Sequence, residues 1–258
     1  MYYPLQIPYL LDETFSSWVR YRETVSEALS PFVICHWEMQ APTMDSACAR
    51  NIIVADGCID LVVDFDGRQI GFSGMRQTVF DDTISGPCYF FGARMKPGAF
   101  SQMTGLPAST AMNQFLPLCE VFPDFDADDF FSRSFSQAQD YFADLLLGLW
   151  GKKVPDLYTT LFDALYEDGF LTVSDLAAKL HMSARQCQRQ FSVRFGLTPK
   201  MVLSILRFQK CLEILTSDGA GSSEVLAATD YYDQPHFIRD FKANLGITPL
   251  ELLRRYRA

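Results

Sequence analysis

Arg185, Gln188, Arg189 and Ser192 are spaced so that an α-helix would carry all four on one outward face. Such side chains can do the chemistry of base recognition. A guanidinium forks two parallel N–H bonds onto guanine O6 and N7, a glutamine amide pairs with adenine in the same bidentate way, and either can hold a phosphate. Fifty residues on, Gln234, Pro235, His236, Arg239 and Lys242 form a second set, with Ile238 among them. Polar residues on an exposed helix are more often solvated than functional, so the meaning of both sets depends on the elements that position them.

Those elements recur. The chain has 258 residues, and its strongest internal signal is an ungapped repeat of period 50 with 10 identities across 34 pairs, from Ser174/Glu224 onward. Leu176-Ala177-Ala178 matches Leu226-Ala227-Ala228, Arg189 matches Arg239, Phe191 matches Phe241, and Gly196, Thr198 and Pro199 match Gly246, Thr248 and Pro249. Each copy reads as helix, sharp turn, helix. Thr172 with Asp175 predicts an N-cap box opening a helix over Val173–Leu180, and Ser183 with Gln186 a capping box opening Ala184–Phe195. Only His181 and Met182 lie between them, which suits a helix-turn-helix, and Cys187, Phe191 and Phe195 supply a buried stripe. In the second copy Asp233 caps a helix whose Pro235 is harmless in the first turn, with Phe237 and Phe241 facing inward. Thr198-Pro199 opens a connecting helix that runs to the Ser217-Asp218-Gly219 stop. At 1.5 Å per residue that rod is roughly 28 Å long, close to the ~34 Å separating successive major grooves on one face of DNA.

From about Pro155 to Ala258 the chain resembles the DNA-binding domain of the AraC/XylS family of transcription regulators. The resemblance is carried by S-A-R-Q-C-Q-R-Q-F at 183–191 with Gly196-Leu197-Thr198-Pro199, by Arg207, and by Y-Y-D-Q-P-H-F-I-R-D-F-K with Gly246-Ile247-Thr248-Pro249. It implies that the second helix of each unit enters the major groove of double-stranded DNA, which by position implicates Arg185, Gln188 and Arg189, then Gln234, Pro235, His236 and Arg239. Two positions depart from the family pattern: Asp230-Tyr231 stands where Gly-Phe is usual, a turn that Asp tolerates, and Cys187 where Leu is usual. Arg207 and Arg257 are expected to brace the module. Arg185/Pro235 and Gln188/Ile238 differ chemically between the copies, so the two units should read different half-sites in an asymmetric target.

The net charge of −9 conceals an asymmetry. Residues 170–258 carry 12 basic against 8 acidic side chains, net +4, while residues 1–169 carry 10 against 23, net −13. The basic module can engage phosphates and the acidic half repels them. Seven scattered cysteines without a C-x-x-C fit reduced thiols, and the absence of a basic n-region or an 18-residue apolar run argues against a signal peptide or span; a cytoplasmic protein is expected.

Residues 1 to about 120 read as short strands. Cys58–Phe65 alternates, with Ile59, Leu61, Val63 and Phe65 on one face and Asp60 and Asp64 on the other; Asp66-Gly67 predicts a type I′ hairpin into Arg68–Ser73, and strands are expected at Phe32–Met39 and Cys88–Met95. D-G-C-I-D-L-V-V at 56–63 and G-A-R-M-K-P-G-A at 92–99 resemble the degenerate cupin-like sensor barrel fused to a subgroup of these regulators. The expected fold is α+β: a β-rich sensor and dimerisation domain over 1–150, a linker at Gly151–Pro155, and an all-helical module over 155–258 with units at 172–196 and 222–246. The apolar stripe of Ser136–Trp150 either seals the sensor core or forms a homodimer contact.

Fifteen of the 22 Phe precede residue 150. They can build a core or a pocket for a flat, greasy molecule, with Trp37 and Phe65 as pocket candidates and Arg94 and Lys96 available for an anionic group. Asp60 and Asp64 read as a solvated strand face, too far apart to share a metal ion. With three histidines and no G-x-S-x-G, P-loop or G-x-G-x-x-G, no enzymatic chemistry, metal or cofactor is implied. The sequence thus points to a DNA-binding regulator controlled by an apolar or aromatic effector. The alternatives are a ligand-modifying or sequestering barrel with a DNA-localising tail, and a regulator sensing a protein partner.

Overall fold

The computed structural model describes all residues except 1, 7–12, 42–47, 77–79, 170, 218–220, 230 and 257–258; the Asp218-Gly219 part of the helix stop and the positions Asp230 and Arg257 lie outside the described residues. The amino-terminal half contains a six-stranded antiparallel sheet in the order β1-β2-β7-β4-β5-β8 and a two-stranded antiparallel ribbon of β3 and β6. The strands are β1 (Arg20–Thr24), β2 (Val33–Ala41), β3 (Cys48–Ile53), β4 (Ile59–Asp64), β5 (Gln69–Ser73), β6 (Phe80–Ser85), β7 (Cys88–Met95) and β8 (Phe115–Pro117). Short helices α1 (Glu13–Trp18), α2 (Ala99–Thr104), α3 (Leu118–Val121) and α4 (Ala127–Phe131) decorate this half, and the long α5 (Phe135–Trp150) closes it.

The two faces of the sheet do different work. Along β4 burial alternates, with Ile59, Leu61 and Val63 in the main core and Asp60 and Val62 turned to the other side. On the first side α5 covers the sheet through Ala138, Phe142, Leu146 and Trp150, one residue every helical turn; Phe91 meets Phe142 edge-on at 5.3 Å and Phe32 stacks on Trp150 at 6.0 Å. The stripe over 136–150 therefore seals the sensor core. On the second side the sheet and the β3–β6 ribbon enclose a cavity.

The β4–β5 connection differs from the expected two-residue type I′ turn. Asp64 pairs with Gln69, so four residues form the loop, and Arg68 rather than Gly67 takes the left-handed conformation, with φ 51°. The reason is local: the Asp64 carboxylate accepts the Gly67 N–H at 2.9 Å, and the Phe65 N–H is spent on the Tyr89 carbonyl of β7 at 3.0 Å.

The carboxyl-terminal part is helical: α6 (Leu157–Asp168), α7 (Val173–Lys179), α8 (Ala184–Phe195), α9 (Pro199–Thr216), α10 (Ser222–Ala228), α11 (Gln234–Leu245) and α12 (Pro249–Tyr256). One continuous apolar core runs from the sensor sheet through Phe162, Phe191, Phe195 and Leu197 as far as Leu206, so the sensor and the first helical unit share an interior. The second unit has its own core of Phe208, Leu212, Val225, Phe237, Phe241 and Leu252, into which Val54 of the sensor inserts. Residues 2–6 form a strap across the junction. The Tyr2 N–H donates to Asp163 of α6, the Tyr2 hydroxyl to the Asp56 carbonyl at 2.8 Å, and the Leu5 N–H to the Gln209 side chain of α9 at 2.8 Å.

Candidate nucleic-acid interface and sensor cavity

Both capping boxes read from the sequence are formed. The Thr172 hydroxyl accepts the Asp175 N–H at 3.2 Å while the Asp175 carboxylate accepts the Thr172 N–H at 3.0 Å; Ser183 and Gln186 exchange the same pair at 3.3 and 2.9 Å. Between these helices His181 takes φ 53°, the left-handed step that lets so short a turn reverse the chain. Cys187, Phe191 and Phe195 are buried; Arg185, Gln188 and Arg189 are exposed and Ser192 half-buried. In α11 the Asp233 side chain accepts the His236 N–H at 2.8 Å, Phe237 and Phe241 are buried, and Gln234, Pro235, Arg239 and Lys242 are exposed. His236 is half-buried and lies edge-on to Tyr231 at 5.2 Å. The Arg207 guanidinium sits over the same Tyr231 ring at 5.4 Å, tying α9 to the second unit. Two 12-residue helices with matching outward faces thus hang on α9, whose 18 residues make a rod of roughly 27 Å.

The sensor touches α8 directly. Ser101 of α2 donates to the Arg194 carbonyl at 3.2 Å, Arg194 pairs with Asp156 at 3.4 Å, and Arg189 and Arg194 share a cleft with Gln102 and Leu106.

The cavity between the sheet and the β3–β6 ribbon has a volume of about 280 Å³. Tyr21, Trp37, Met39, Ile53, Val62 and Phe90 give it an apolar, aromatic wall, and Asp56, Asp60 and Arg94 a charged floor. Of the residues proposed for a pocket, Trp37 and Arg94 line it and two do not. Phe65 lies past the end of β4, packed against Phe131 and Phe135 at 6.0 and 5.3 Å, and Lys96 lies past the end of β7, where it pairs with Asp163 at 3.0 Å. Arg94 is not open to an anion either: it is 6% exposed and faces Glu23 at 3.1 Å, Asp56 at 3.7 Å and Asp60 at 3.8 Å. The reading of Asp60 as solvated is likewise corrected. Its carboxylate accepts the Trp37 indole N–H at 2.8 Å inside the cavity, while Asp64 is spent on the turn. No pattern in the sequence announces this cluster, because Glu23, Asp56, Asp60 and Arg94 come from three strands and a loop; Asp60 alone signalled itself, as a charge among the apolar residues 59–63.

Burial and the neighbouring Asp56 and Glu23 push the Asp60 carboxyl up to about 7, with Arg94 and the Trp37 N–H opposing. The Cys35 and Cys58 thiols beside it are pushed up by burial and stay neutral. An acid raised in the folded state contributes stability while protonated, in full below the ordinary carboxylate range and lost as pH rises through about 7. Denaturant unfolding should therefore show a stability lower at pH 8 than at pH 5 by about 2 kcal/mol from this group. Asp60→Asn should flatten that part of the profile, and an unchanged slope in the variant would refute the assignment.

Among the described residues no helix is long and apolar enough to cross a membrane, and no group of three His, Cys, Asp or Glu is placed to hold a metal ion. Two families match the sequence: one described as a helix-turn-helix domain over residues 176–255, and one described as a domain of unknown function (DUF6597) over residues 23–117. No curated protein matches the chain. Similar solved structures include an AraC-type transcriptional regulator from Chromobacterium violaceum, 23% identical over 37% of this chain and 88% of that one with a TM-score of 0.34. ToxT from Vibrio cholerae O395 is 10% identical over 93% and 96% with a TM-score of 0.42, and unsaturated-fatty-acid-bound ToxT from V. cholerae SCE256 is 9% identical over 92% and 93% with a TM-score of 0.39. The family match over 176–255 shows a helix-turn-helix domain in the carboxyl-terminal part of the chain, where the two tandem units lie.

Proposed function

We propose that the chain is a transcription regulator of the AraC/XylS type that reads an asymmetric DNA site with α8 and α11 in successive major grooves, and that a small molecule in the sensor cavity sets its affinity. The chain is a binding protein and not an enzyme. Arg185, Gln188, Arg189 and Ser192 would contact one half-site, and Gln234, Pro235, His236, Arg239 and Lys242 the other. In this reading sensing falls to residues 1–150 and DNA binding to residues 155–258. The single observation that carries the reading is the pair of equally long, equivalently capped helices presenting exposed Arg and Gln from the two ends of α9.

A route for the effector supports the second half of the proposal. Met75 lines the cavity and also packs on Gly196 at the carboxyl end of α8, while Val54 and Ala55 line it and touch the second unit, Val54 within its core and the Ala55 carbonyl through Gln209. A ligand that moves these walls would bias both helices at once, and couplings of this kind are worth ~1–3 kcal/mol. The DNA half is tested by binding titrations on a selected site and its single-base variants. Arg189→Ala should cost ~1–3 kcal/mol and relax preference at one base pair, and Gln234→Ala should act at base pairs about one helical turn away. Changes from both variants mapping to the same base pairs would rule out the two-groove arrangement.

A further inference from the structure

We propose that the sensor cavity takes a compact uncharged molecule, an apolar or aromatic body that carries a hydroxyl group. This deepens the reading of the cavity as the effector site and rests on it. The lining is balanced in charge, with two acids, Asp56 and Asp60, against two arginines, Arg76 and Arg94. Each of the four already has a partner. Arg94 faces both acids and is tied from outside the lining by Glu23 at 3.1 Å, Asp56 accepts the Gln6 amide and the Cys58 N–H, each at 2.9 Å, and Arg76 is not free. A charged ligand would give up its water in an apolar space and find no opposite charge left to answer it, a loss that an uncharged ligand does not face.

What the lining leaves open is hydrogen bonding. Asp60 of β4 stands opposite Ser73 of β5 in the sheet register, and both line the cavity. Asp60 Oδ2 takes the Trp37 indole N–H at 2.8 Å and the Arg94 guanidinium at 3.8 Å, and its Oδ1 has no partner among the described residues. The Ser73 hydroxyl and the Asn51 amide of β3, which also lines the cavity, are likewise without hydrogen-bond partners among the described residues. A hydroxyl both donates and accepts, so it can serve the Asp60 oxygen and the neighbouring serine at once; an ether or a carboxylate only accepts, and an ammonium only donates. Tyr21, Trp37 and Phe90 supply aromatic surface for the rest of the molecule. The volume of about 280 Å³ lies at the small end of the ~300–1,000 Å³ range of ligand sites, so the body is compact.

The test uses the full chain at neutral pH and four probes of one skeleton: 4-phenylbutan-1-ol, its methyl ether, 4-phenylbutylamine and 4-phenylbutanoate. Binding is followed by calorimetry and by tryptophan fluorescence, to which Trp37 contributes. The alcohol should bind at least about tenfold more tightly than the amine or the carboxylate, and roughly fivefold more tightly than the ether. Ser73→Ala should bring the alcohol down towards the ether and leave the ether unchanged. Val62→Phe, which fills the cavity from β4, should abolish binding of the alcohol. An amine or carboxylate as tight as the alcohol overturns the uncharged class, and an ether as tight as the alcohol overturns the hydroxyl; either result leaves the cavity as an effector site. Failure of all four probes to bind, or undiminished binding in Val62→Phe, overturns the cavity reading itself.

Discussion

Arg94→Gln is expected to lower stability by roughly 3–5 kcal/mol at pH 8, the usual loss when one member of a buried ion cluster is removed and its partners remain. For a chain of this length that is a fall of about 10 °C in Tm. The cause is not the lost attraction alone. Glu23, Asp56 and Asp60 would be left facing one another, held by hydrogen bonds from Trp37, Gln6, Tyr3, Tyr21 and the Cys58 N–H. The carboxylates would answer by taking up protons, so the deficit should shrink at pH 5. Thermal unfolding of wild type and variant at the two pH values decides it: an equal deficit at both would mean that Arg94 acts by packing rather than by charge.

Gly196→Ala is expected to cost more than Gly246→Ala although the two glycines are repeat equivalents. Both end the second helix of a helix-turn-helix unit in the left-handed conformation, with φ 69° and 81°, and any side chain there costs about 1–2 kcal/mol. Around Gly246 nothing lies within 4 Å, so its cost stops there. A Cβ on Gly196 would stand 2.9 Å from Met75 Cε and Sδ and 3.0 Å from the Ala108 carbonyl carbon, which is overpacking worth a further ~1–3 kcal/mol. The methionine tip can move, but the Ala108 backbone moves only with its loop. Gly196→Ala should also loosen the hold of the sensor on α8, seen as faster amide exchange at both the end of α8 and residues 108–111. Equal stability losses for the two variants would show that the sensor contact bears no load.

Much of this architecture is written locally. The capping residues Thr172, Ser183, Thr198 and Asp233, the four-residue spacing of Cys187, Phe191 and Phe195, and the strand Cys88–Met95 all act on neighbours within a few positions, and each forms at the residues predicted. The cavity floor obeys no such short-range rule. The position of Asp60 on its strand was legible, but whether that face met solvent or a second layer depended on where residues 48–53 and 80–85 pair, a long-range fact. Alternation alone would set Lys96 on the same face as Arg94, yet the strand ends at Met95 and the periodicity ends with it. The shared core was hidden for a similar reason: Phe162 is an ordinary helix-face residue and Leu197 an ordinary apolar residue of a helix–helix connection until Gly57 of the sensor leaves room for them.

The strap at residues 2–6 carries a consequence for how the molecule is made. Its Gln6 amide pairs with Val54 and Asp56, partners that follow within some fifty positions, whereas the Leu5 N–H waits for Gln209, 204 residues later. On a ribosome adding about 5–20 residues per second, that interval lasts roughly 10–40 s. Through it the sensor sheet can assemble around Gln6 while Tyr2 and Leu5 still lack their helical partners. Residues 2–5 are thus made long before their partners and are among the last to find their place, and their final hydrogen bonds mark the arrival of α9.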